Sequence, residues 1–279
     1  MRIGFIGAGL MGHGMAANLL KAGYILTVVA HRNRAPIDDL VGKGAIEVPS
    51  IEEIVENNDC IILCLSNAHI VGSTVARLKH HLVDGQIIID SSTSNPETSR
   101  KLAHELETLG VAFADAPLTG GPEQAVKGEL GVLCGASLET FTKIEPVLAC
   151  FASVVRHMGP VGSGSTAKLI SNFLVTGMIA LVAEAFVTAR SADIDWKNIY
   201  EAMLMGSGNS GVLRKMVGPA LEGDFNGYTF TVENAAKDIG YFNQLGITTQ
   251  LGKTVEEIFK TGLAKGLGPQ NVSQLLKSG

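Results

Sequence analysis

The N-terminal segment places the strongest restriction on the fold of this chain. An apolar run, Arg2 to Ile6, leads into Gly7-Ala8-Gly9-Leu10-Met11-Gly12, which has the spacing G-x-G-x-x-G. A segment with helical periodicity follows and ends at Gly23. Strand, glycine loop and helix in this order are typical of the first turn of a doubly wound sheet, where the loop and the helix N-terminus bind a dinucleotide pyrophosphate.

Each glycine of this loop has a mechanical role. Gly7 permits the tight turn, Gly9 leaves room for the pyrophosphate, and Gly12 lets the helix pack closely on the strand. On its own the glycine spacing also fits an ordinary turn, but the second strand that follows the helix favours a nucleotide site. The predicted cofactor contacts in this loop are Gly7, Gly9, Leu10, Met11 and Gly12.

As far as about residue 158, short apolar runs alternate with helical stretches, which predicts βαβ units and a parallel sheet. The Ser50/Glu53 pair forms a capping box, and Asn95 before Pro96 is an N-cap signal, so helices are expected to begin near residues 51 and 96. The predicted strands are Arg2 to Ile6, Ile25 to Ala30, Ala45 to Val48, Cys60 to Leu65, Gln86 to Asp90, Val111 to Asp115, Gly131 to Gly135 and Val154 to Met158.

The pattern changes after the glycine-rich segment at 159–164, because strand runs cease and only helical periodicity remains. Helices are predicted near 165–193, 196–205, 210–220, 230–246, 251–265 and 269–277. The predicted fold is therefore α/β, with a Rossmann-type parallel sheet followed by an all-α domain. Residues 1–163 form the dinucleotide-binding domain, and residues 164–279 form a domain for substrate binding and oligomerisation.

Composition limits the partners. Charged residues make up 18% of the chain, the net charge is −5, and no basic run is interleaved with aromatic residues, so we expect no binding to nucleic acid. The apolar stretch Leu169 to Val187 is long enough for a membrane span, but its polar residues favour a buried helix or a subunit interface. We therefore expect a homo-oligomer, a dimer or a tetramer, that does not bind membranes. Since a strand begins at Arg2, the sequence leaves no room for a signal peptide and predicts a cytoplasmic protein.

The end of the second predicted strand bears on the choice of dinucleotide. A carboxylate there would bind a ribose 2′-hydroxyl, whereas arginine accommodates a 2′-phosphate. The chain reads Ala30-His31-Arg32-Asn33-Arg34, with no acidic residue before Asp38. Two solvated arginines in a turn would give the same pattern, but the segment favours NADP over NAD. Its predicted cofactor contacts are His31, Arg32, Asn33 and Arg34.

Two further loops follow predicted strands and are expected to line the path from adenosine to nicotinamide. They contribute Leu65, Ser66, Ser92 and Thr93, although helix or turn capping would explain the serines and the threonine nearly as well. A third loop, Thr119-Gly120-Gly121, follows the strand that ends at Asp115. Its accessible N–H groups would suit a substrate carboxylate, and an ordinary turn is the alternative.

Lys168 and Asn172 lie four residues apart on one predicted helix face, so both can reach the same small ligand. Lys168 is also in the first turn, where the helix dipole and partial burial are expected to lower its pKa from about 10.4. A lysine at the start of a helix is often only solvated, but the glycine-rich lead-in and the pairing with Asn172 favour proton transfer. The histidines and cysteines show no metal-binding spacing, so no catalytic metal is expected.

Four motifs, taken in order, resemble the β-hydroxyacid dehydrogenase family, which includes 3-hydroxyisobutyrate dehydrogenase and the tartronate, glyoxylate and succinic semialdehyde reductases. The resemblance covers nearly the whole chain and implies a fold like those of 3-hydroxyisobutyrate and 6-phosphogluconate dehydrogenases. The motifs are Gly4 to Gly12 with Met15-Ala16-Ala17-Asn18-Leu19, Asp115 to Gly121, Gly159 to Asn172 with its K-x-x-x-N, and Lys237-Asp238-Ile239-Gly240.

The resemblance implies an oxidoreductase that transfers a hydride between a nicotinamide cofactor and a small β-hydroxy acid, a semialdehyde or a 2-oxo acid, and the turn after the second strand favours NADP(H) as that cofactor. In such an enzyme Lys168 is the general acid and base, and Asn172 positions the substrate. Thr119, Gly120, Gly121 and Lys237 would bind the substrate carboxylate, and Lys237 and Asp238 would also lie near the cofactor.

The chain departs from the family pattern at three places. Thr119 stands where the family usually has serine, the turn at Ala30-His31-Arg32 is one residue longer, and Tyr241-Phe242 is bulkier than usual. The substrate and the arginine that meets the 2′-phosphate are therefore left open. Two other functions are also open: an imine reductase on the same scaffold, which is expected to lack the lysine, and a protein that senses NADP(H) without turnover.

Overall fold

The computed structural model describes residues 1–246 and 249–277. Its contacts divide the chain into two compact units, Met1–Lys168 and Leu169–Gly279. The first unit contains all the named strands and the first six helices, and the second is helical.

The first unit is an α/β domain. Its strands are β1 (Arg2–Ile6), β2 (Ile25–Val29), β3 (Ile46–Val48), β4 (Cys60–Leu63), β5 (Ile87–Asp90), β6 (Ala112–Asp115), β7 (Leu118–Thr119), β8 (Leu130–Gly135) and β9 (Ala152–Gly159). Its helices are α1 (Gly12–Lys21), α2 (Ala35–Gly42), α3 (Ala68–Leu78), α4 (Pro96–Glu107), α5 (Pro122–Lys127) and α6 (Leu138–Leu148).

The sheet has the strand order β3-β2-β1-β4-β5-β6-β8-β7, and β9 pairs with β8. The first six strands of this order are parallel, which confirms the Rossmann-type fold. Beyond β6 the sheet is mixed, because β8 runs antiparallel to both β6 and β7. The short strand β7 was not predicted, since two residues are too few to carry an alternating pattern.

The central strands are buried on both faces, so they read as continuous apolar runs. Ile3 and Phe5 of β1 pack with α1 in one core cluster, and Ile6, Ile61 and Leu63 belong to a second cluster that includes residues of α3 and α4. Helices therefore cover both faces of the sheet, and the loops after β1, β4 and β5 emerge together at its carboxyl edge.

The prediction of a helix beginning near residue 51 was wrong, whereas α4 begins at Pro96 as expected. Residues 51–57 form hydrogen-bonded turns. The Ser50 Oγ does accept the N–H of Glu53, but the bonds that follow span three residues, and Asn57 has a left-handed φ of 60°. The segment between β3 and β4 is too short to continue a helix past that residue.

The second unit contains most of α7 (Ser163–Ser191), followed by α8 (Trp196–Met205), α9 (Gly211–Leu221), α10 (Val232–Asn243) and α11 (Gln250–Ala264). The helix predicted at 269–277 is a 3-10 helix, Val272–Lys277. Ile179 and Phe186 of α7 are fully buried in one apolar cluster with Met216 of α9 and Phe259 of α11. The unit therefore has a core of its own.

Within the described ranges, α7 is the single helix long and apolar enough to cross a membrane by length and composition. The core helix of a soluble protein meets the same criterion, and four buried residues of α7 lie in the apolar cluster of the second unit: Ile179, Ala180, Ala183 and Phe186.

Candidate functional site

The glycine loop after β1 leaves space for a ligand at one position. A Cβ on Gly7, which has φ of +106°, would lie 2.2 Å from the carbonyl oxygen of Cys64, and one on Gly12 would lie 2.1 Å from that of Gly7. These two glycines are therefore required by the fold. Gly9 differs, because a Cβ there would meet no atom within 4 Å. No side chain caps the start of α1, and its first turn has no acidic residue, so this loop fits a pyrophosphate.

The two arginines of the turn after β2 differ in their hydrogen bonds and ion pairs. Arg34 donates from Nη1 and Nη2 to the two carboxylate oxygens of Glu47, at 2.9 and 2.8 Å, and from Nε to Asp38 at 3.0 Å. The hydrogen bond with Glu47 is the largest cause of the raised pKa of Arg34, and it lowers the pKa of Glu47. Arg32 is exposed and forms no ion pair within the described residues. His31 and Asn33 are also exposed.

The loops after β4 and β5 are tied to each other. The N–H of Leu65 donates to Ser92 Oγ at 2.9 Å, and the N–H of Ser92 donates to Asp90 Oδ1 at 2.9 Å. Since β4 lies between β1 and β5, both loops emerge at the same sheet edge as the glycine loop. The structure thus brings the predicted cofactor residues of three loops to one edge, where ligands of open α/β sheets bind.

One N–H group of the predicted anion-binding loop is already hydrogen-bonded to a nearby side chain. Thr119 ends β7, opposite Gly131, and Gly120 has a left-handed φ of +107°. The N–H of Gly121 donates to the side chain of Gln124 at 3.0 Å. This N–H is therefore engaged, and the remaining donors for a carboxylate at this loop are the Thr119 hydroxyl and the Gly120 N–H.

A buried carboxylate holds the start of α7. Asp115, at the end of β6, is fully buried, and its two oxygens accept the N–H groups of Gly162 at 2.7 Å and Ser165 at 2.6 Å. Burial raises the pKa of Asp115 to about 6, and the two backbone hydrogen bonds oppose this rise. Sequence reasoning missed this role, although Asp115 stood at the end of a predicted strand and began one of the motifs. Because Ser165 lies one turn before Lys168, the cap fixes the helical turn that carries the lysine.

Close packing also fixes that turn. A Cβ on Gly164 would lie 2.3 Å from the carbonyl oxygen of Leu133 and 2.7 Å from that of Asp115. The backbone of the first turn of α7 therefore contacts the sheet directly, and Lys168 follows one turn later as a half-buried side chain.

Asn172 is joined to the Lys237-Asp238 pair. Its Nδ2 donates to Asp238 Oδ2 at 2.6 Å, and Lys237 Nζ lies 3.3 Å from Asp238 Oδ1. Asn172 and Asp238 are both buried, with 8% and 3% of their surface exposed. An ionised carboxylate can only accept, so the amide nitrogen must face Asp238, and the amide oxygen faces away.

Aromatic residues flank this group. Lys237 Nζ lies 5.9 Å from the ring centroid of Tyr241, one turn along α10. The ring of Phe242 stacks on that of Phe173, with centroids 4.2 Å apart. The bulky residues that depart from the family pattern thus pack beside Lys237 and beside the neighbour of Asn172. Among the described residues, no group of three or more His, Cys, Asp or Glu is placed to hold a metal ion.

Comparison with known proteins shows the family to which both parts of the chain belong. Residues 2–159 match the family model described as the NAD binding domain of 6-phosphogluconate dehydrogenase. Residues 162–278 match the model described as "NAD-binding of NADP-dependent 3-hydroxyisobutyrate dehydrogenase".

Individual relatives match over nearly their whole length. The chain is 32% identical to 2-(hydroxymethyl)glutarate dehydrogenase of Eubacterium barkeri, over 99% of this chain and 94% of that protein. It is 29% identical to the NAD-dependent L-serine dehydrogenase of Pseudomonas aeruginosa, over 99% and 97%. The solved structure of a 3-hydroxyisobutyrate dehydrogenase from Salmonella typhimurium has a TM-score of 0.90 at 28% identity and covers 100% of both chains. The chain is therefore a member of the β-hydroxyacid dehydrogenase family of oxidoreductases, with an N-terminal domain that binds a pyridine nucleotide.

Proposed function

We propose that this protein transfers a hydride between NADP(H) and a small β-hydroxy acid, semialdehyde or 2-oxo acid, with Lys168 as general acid and base. The observation that carries the proposal is the placement of Lys168 one turn before Asn172, whose amide is held by Asp238. A bound nicotinamide supplies or accepts the hydride, and the residues of the chain orient the substrate and move the proton.

Lys168 would donate a proton from Nζ to the substrate carbonyl oxygen during reduction and accept the hydroxyl proton during oxidation. Its place at the start of α7 supports this role. The Asp115 cap holds that part of the helix, and a fixed backbone limits the positions that the Nζ can reach.

Asn172 would position the substrate through its amide oxygen. Because Nδ2 donates to Asp238, the oxygen is the group left to accept a hydrogen bond from a substrate hydroxyl. Lys237 would attract the substrate carboxylate, and the ion pair with Asp238 would hold its side chain in place. Thr119 and Gly120 would supply neutral donors to the same carboxylate, and Gly121 would do so only if Gln124 moved.

The choice of NADP over NAD rests on the turn after β2. In an NAD site an acidic residue would follow the second strand. Here β2 is followed by Ala30 and His31, and then by the exposed Arg32. The other proposed cofactor contacts are Gly7, Gly9, Leu10, Met11, Gly12, His31, Asn33, Leu65, Ser66, Ser92, Thr93, Lys237 and Asp238. Arg34, which the sequence also predicted as a contact, is paired with Glu47 and is not among them. Since one relative is named as NAD-dependent, both cofactors belong in the test.

The helical part of the chain, residues 164–279, would also assemble copies into a dimer or tetramer. Three apolar side chains of α7, Ile170, Leu174 and Leu181, are 55%, 64% and 65% exposed, which supports burial against another copy. We propose a cytoplasmic location for this oligomer.

The deciding experiment measures NADPH and NADH consumption with semialdehydes and 2-oxo acids of two to five carbons. We expect NADPH oxidation by the wild type, loss of at least about a thousandfold in kcat for Lys168→Ala, and no change for Lys253→Ala. Lys253 is exposed on α11 and serves as the matched control.

The other functions give different results in the same assay. NADPH oxidation that requires both a ketone and an amine would indicate an imine reductase. Tight NADPH binding without oxidation by any carbonyl compound would indicate a sensor. A ligand-bound structure in which the Lys168 ammonium points into solvent, away from the nicotinamide, would also overturn the proposal.

A further inference from the structure

We propose that Glu47 sets the cofactor selectivity of this protein by forming an ion pair with Arg34, so that Arg32 is the one arginine of this turn that binds the 2′-phosphate of NADP(H). The proposal rests on the NADP(H) use proposed above, and it assigns the arginine that the sequence left open. It depends on the pairing of Arg34 and on the exposure of Arg32.

The guanidinium of Arg34 is already engaged on three of its nitrogens. Two point at the two oxygens of Glu47 in the parallel geometry that an arginine would use for a phosphate. The third donates to Asp38. A 2′-phosphate could reach Arg34 only by displacing one of these carboxylates or by approaching both of them.

Secondary structure holds both carboxylates in place. Glu47 is the middle residue of β3, and it pairs in register with Val28 of β2. Asp38 lies in the first turn of α2, whose N-cap is Arg34 itself. The pairs therefore do not depend on the chance meeting of two mobile surface chains, which is the usual reason that exposed ion pairs contribute little.

The local charge differs at the two arginines. Arg34 with Glu47 and Asp38 carries one positive and two negative charges, so the group is net negative toward an incoming phosphate. Arg32 is exposed and has no such partner in the described part of the chain. A phosphate at the end of β2 would consequently be attracted to Arg32 and repelled by the Arg34 group.

Removing the Glu47 charge should therefore give the site a second arginine. Glu47→Gln keeps the size of the side chain but loses the ion pair, and it leaves Arg34 with Asp38 alone. The site would then hold the 2′-phosphate with two guanidinium groups, and NADPH would bind more tightly while NADH, which has no such phosphate, would not.

The test is a set of binding measurements on the full chain, by calorimetry and by nucleotide fluorescence, with NADPH and NADH as probes. We expect Arg32→Ala to weaken NADPH binding at least about tenfold and to change NADH binding less than about twofold. Arg34→Ala in the wild type should change both less than about twofold. Glu47→Gln should tighten NADPH binding about three- to tenfold, and Arg34→Ala should cancel this gain in the double variant.

A second arginine–glutamate pair of the same unit provides the control. Arg77 donates to Glu52 at 2.9 Å, and the Arg77 and Glu52 side chains are 61% and 27% exposed, close to the 58% and 29% of Arg34 and Glu47. Glu52→Gln should leave both affinities unchanged. Thermal melts of each variant establish that differences in binding do not arise from loss of the fold.

Three results would overturn the proposal. Arg34→Ala weakening NADPH binding as much as Arg32→Ala would show that Arg34 already reads the phosphate. Equal NADPH affinities in Glu47→Gln and the wild type would show that the Arg34–Glu47 ion pair does not limit NADPH binding. Loss of NADH affinity in Glu47→Gln would show that the carboxylate binds a ribose hydroxyl. If Arg32→Ala changes neither affinity, the underlying preference for NADP is itself wrong, whatever Glu47 does.

Discussion

The amide nitrogen of Asn172 on α7 donates to the carboxylate of Asp238 on α10 across 2.6 Å, and the same carboxylate pairs with Lys237 at 3.3 Å. One buried acid thus joins the asparagine of the K-x-x-x-N motif to the lysine that follows it by 65 positions. The orientation of Asn172 is set by this bond, since the amide can face Asp238 only with its nitrogen.

Replacing Asp238 with asparagine should impair catalysis more than cofactor binding, because asparagine keeps a polar side chain of nearly the same size beside the proposed cofactor site. The new side chain can offer either a donor or an acceptor, so Asn172 would no longer be held in one orientation, and Lys237 would lose its ion pair. We expect kcat to fall about ten- to a hundredfold, with the Kd for NADPH, measured by fluorescence, changed less than about threefold.

Glu257→Gln, which removes one exposed charge from α11, is the control and should keep the wild-type kcat. A wild-type kcat in Asp238→Asn would mean that the bond to Asn172 does not serve the reaction.

The carboxyl group of Asp115, which caps α7, should titrate near pH 6. The folded pKa of Asp115, about 6, lies above its ordinary value of 3.8, so the folded state binds the proton more strongly than the unfolded state. The resulting stability is complete below pH 3.8 and is lost as the pH rises through 6. From pH 7 to pH 5 the wild type should therefore gain about 1.4 kcal/mol in free energy of unfolding relative to Asp115→Asn.

Urea unfolding of both proteins at the two pH values gives this difference directly. A change of opposite sign would show that the hydrogen bonds from Gly162 and Ser165 outweigh burial and lower the pKa of Asp115.

Close packing at the start of α7 can be tested with two glycines of the same helix. A Cβ at Gly164 would collide with the Leu133 carbonyl, whereas a Cβ at Gly177 would meet nothing within 4 Å. Gly164→Ala should lower the free energy of unfolding by about 3 kcal/mol, because backbone must move. Gly177→Ala should raise it by up to about 1 kcal/mol, because alanine favours the helix. Equal unfolding midpoints in urea for the two variants would contradict the direct contact between α7 and the sheet.

A substitution in the glycine loop should weaken cofactor binding and leave the stability of the fold unchanged. Gly9→Ala adds a methyl group where the protein has no atom within 4 Å, so the thermal midpoint without nucleotide should stay that of the wild type. The methyl group would occupy the space of the pyrophosphate, and NADPH binding should weaken more than about tenfold. Gly72→Ala on α3, also an open position, should leave NADPH affinity unchanged and, like Gly177→Ala, should raise the thermal midpoint, because alanine favours the helix. Unchanged NADPH affinity in Gly9→Ala would place the pyrophosphate elsewhere.

Local signals predicted much of the fold and of the candidate site. The glycine loop, the Asn95-Pro96 cap and most of the strand and helix positions follow from patterns within a few residues, because each reports the conformation of its own segment. The Ser50/Glu53 capping box shows the limit of such signals. Its hydrogen bond forms, yet no helix follows, since the chain must turn at Asn57 to enter β4.

The sequence by itself determined most of the strands and helices, the glycine loop and the one-turn spacing of Lys168 and Asn172, all of which depend on neighbours along the chain. Only the tertiary structure decided that Asp238 holds Asn172, that Asp115 caps α7, and that Glu47 rather than a ligand engages Arg34. The physical reason is distance along the chain. These pairs join residues 13 to 66 positions apart, and which distant side chains meet is fixed by the packing of whole strands and helices, which no local pattern encodes.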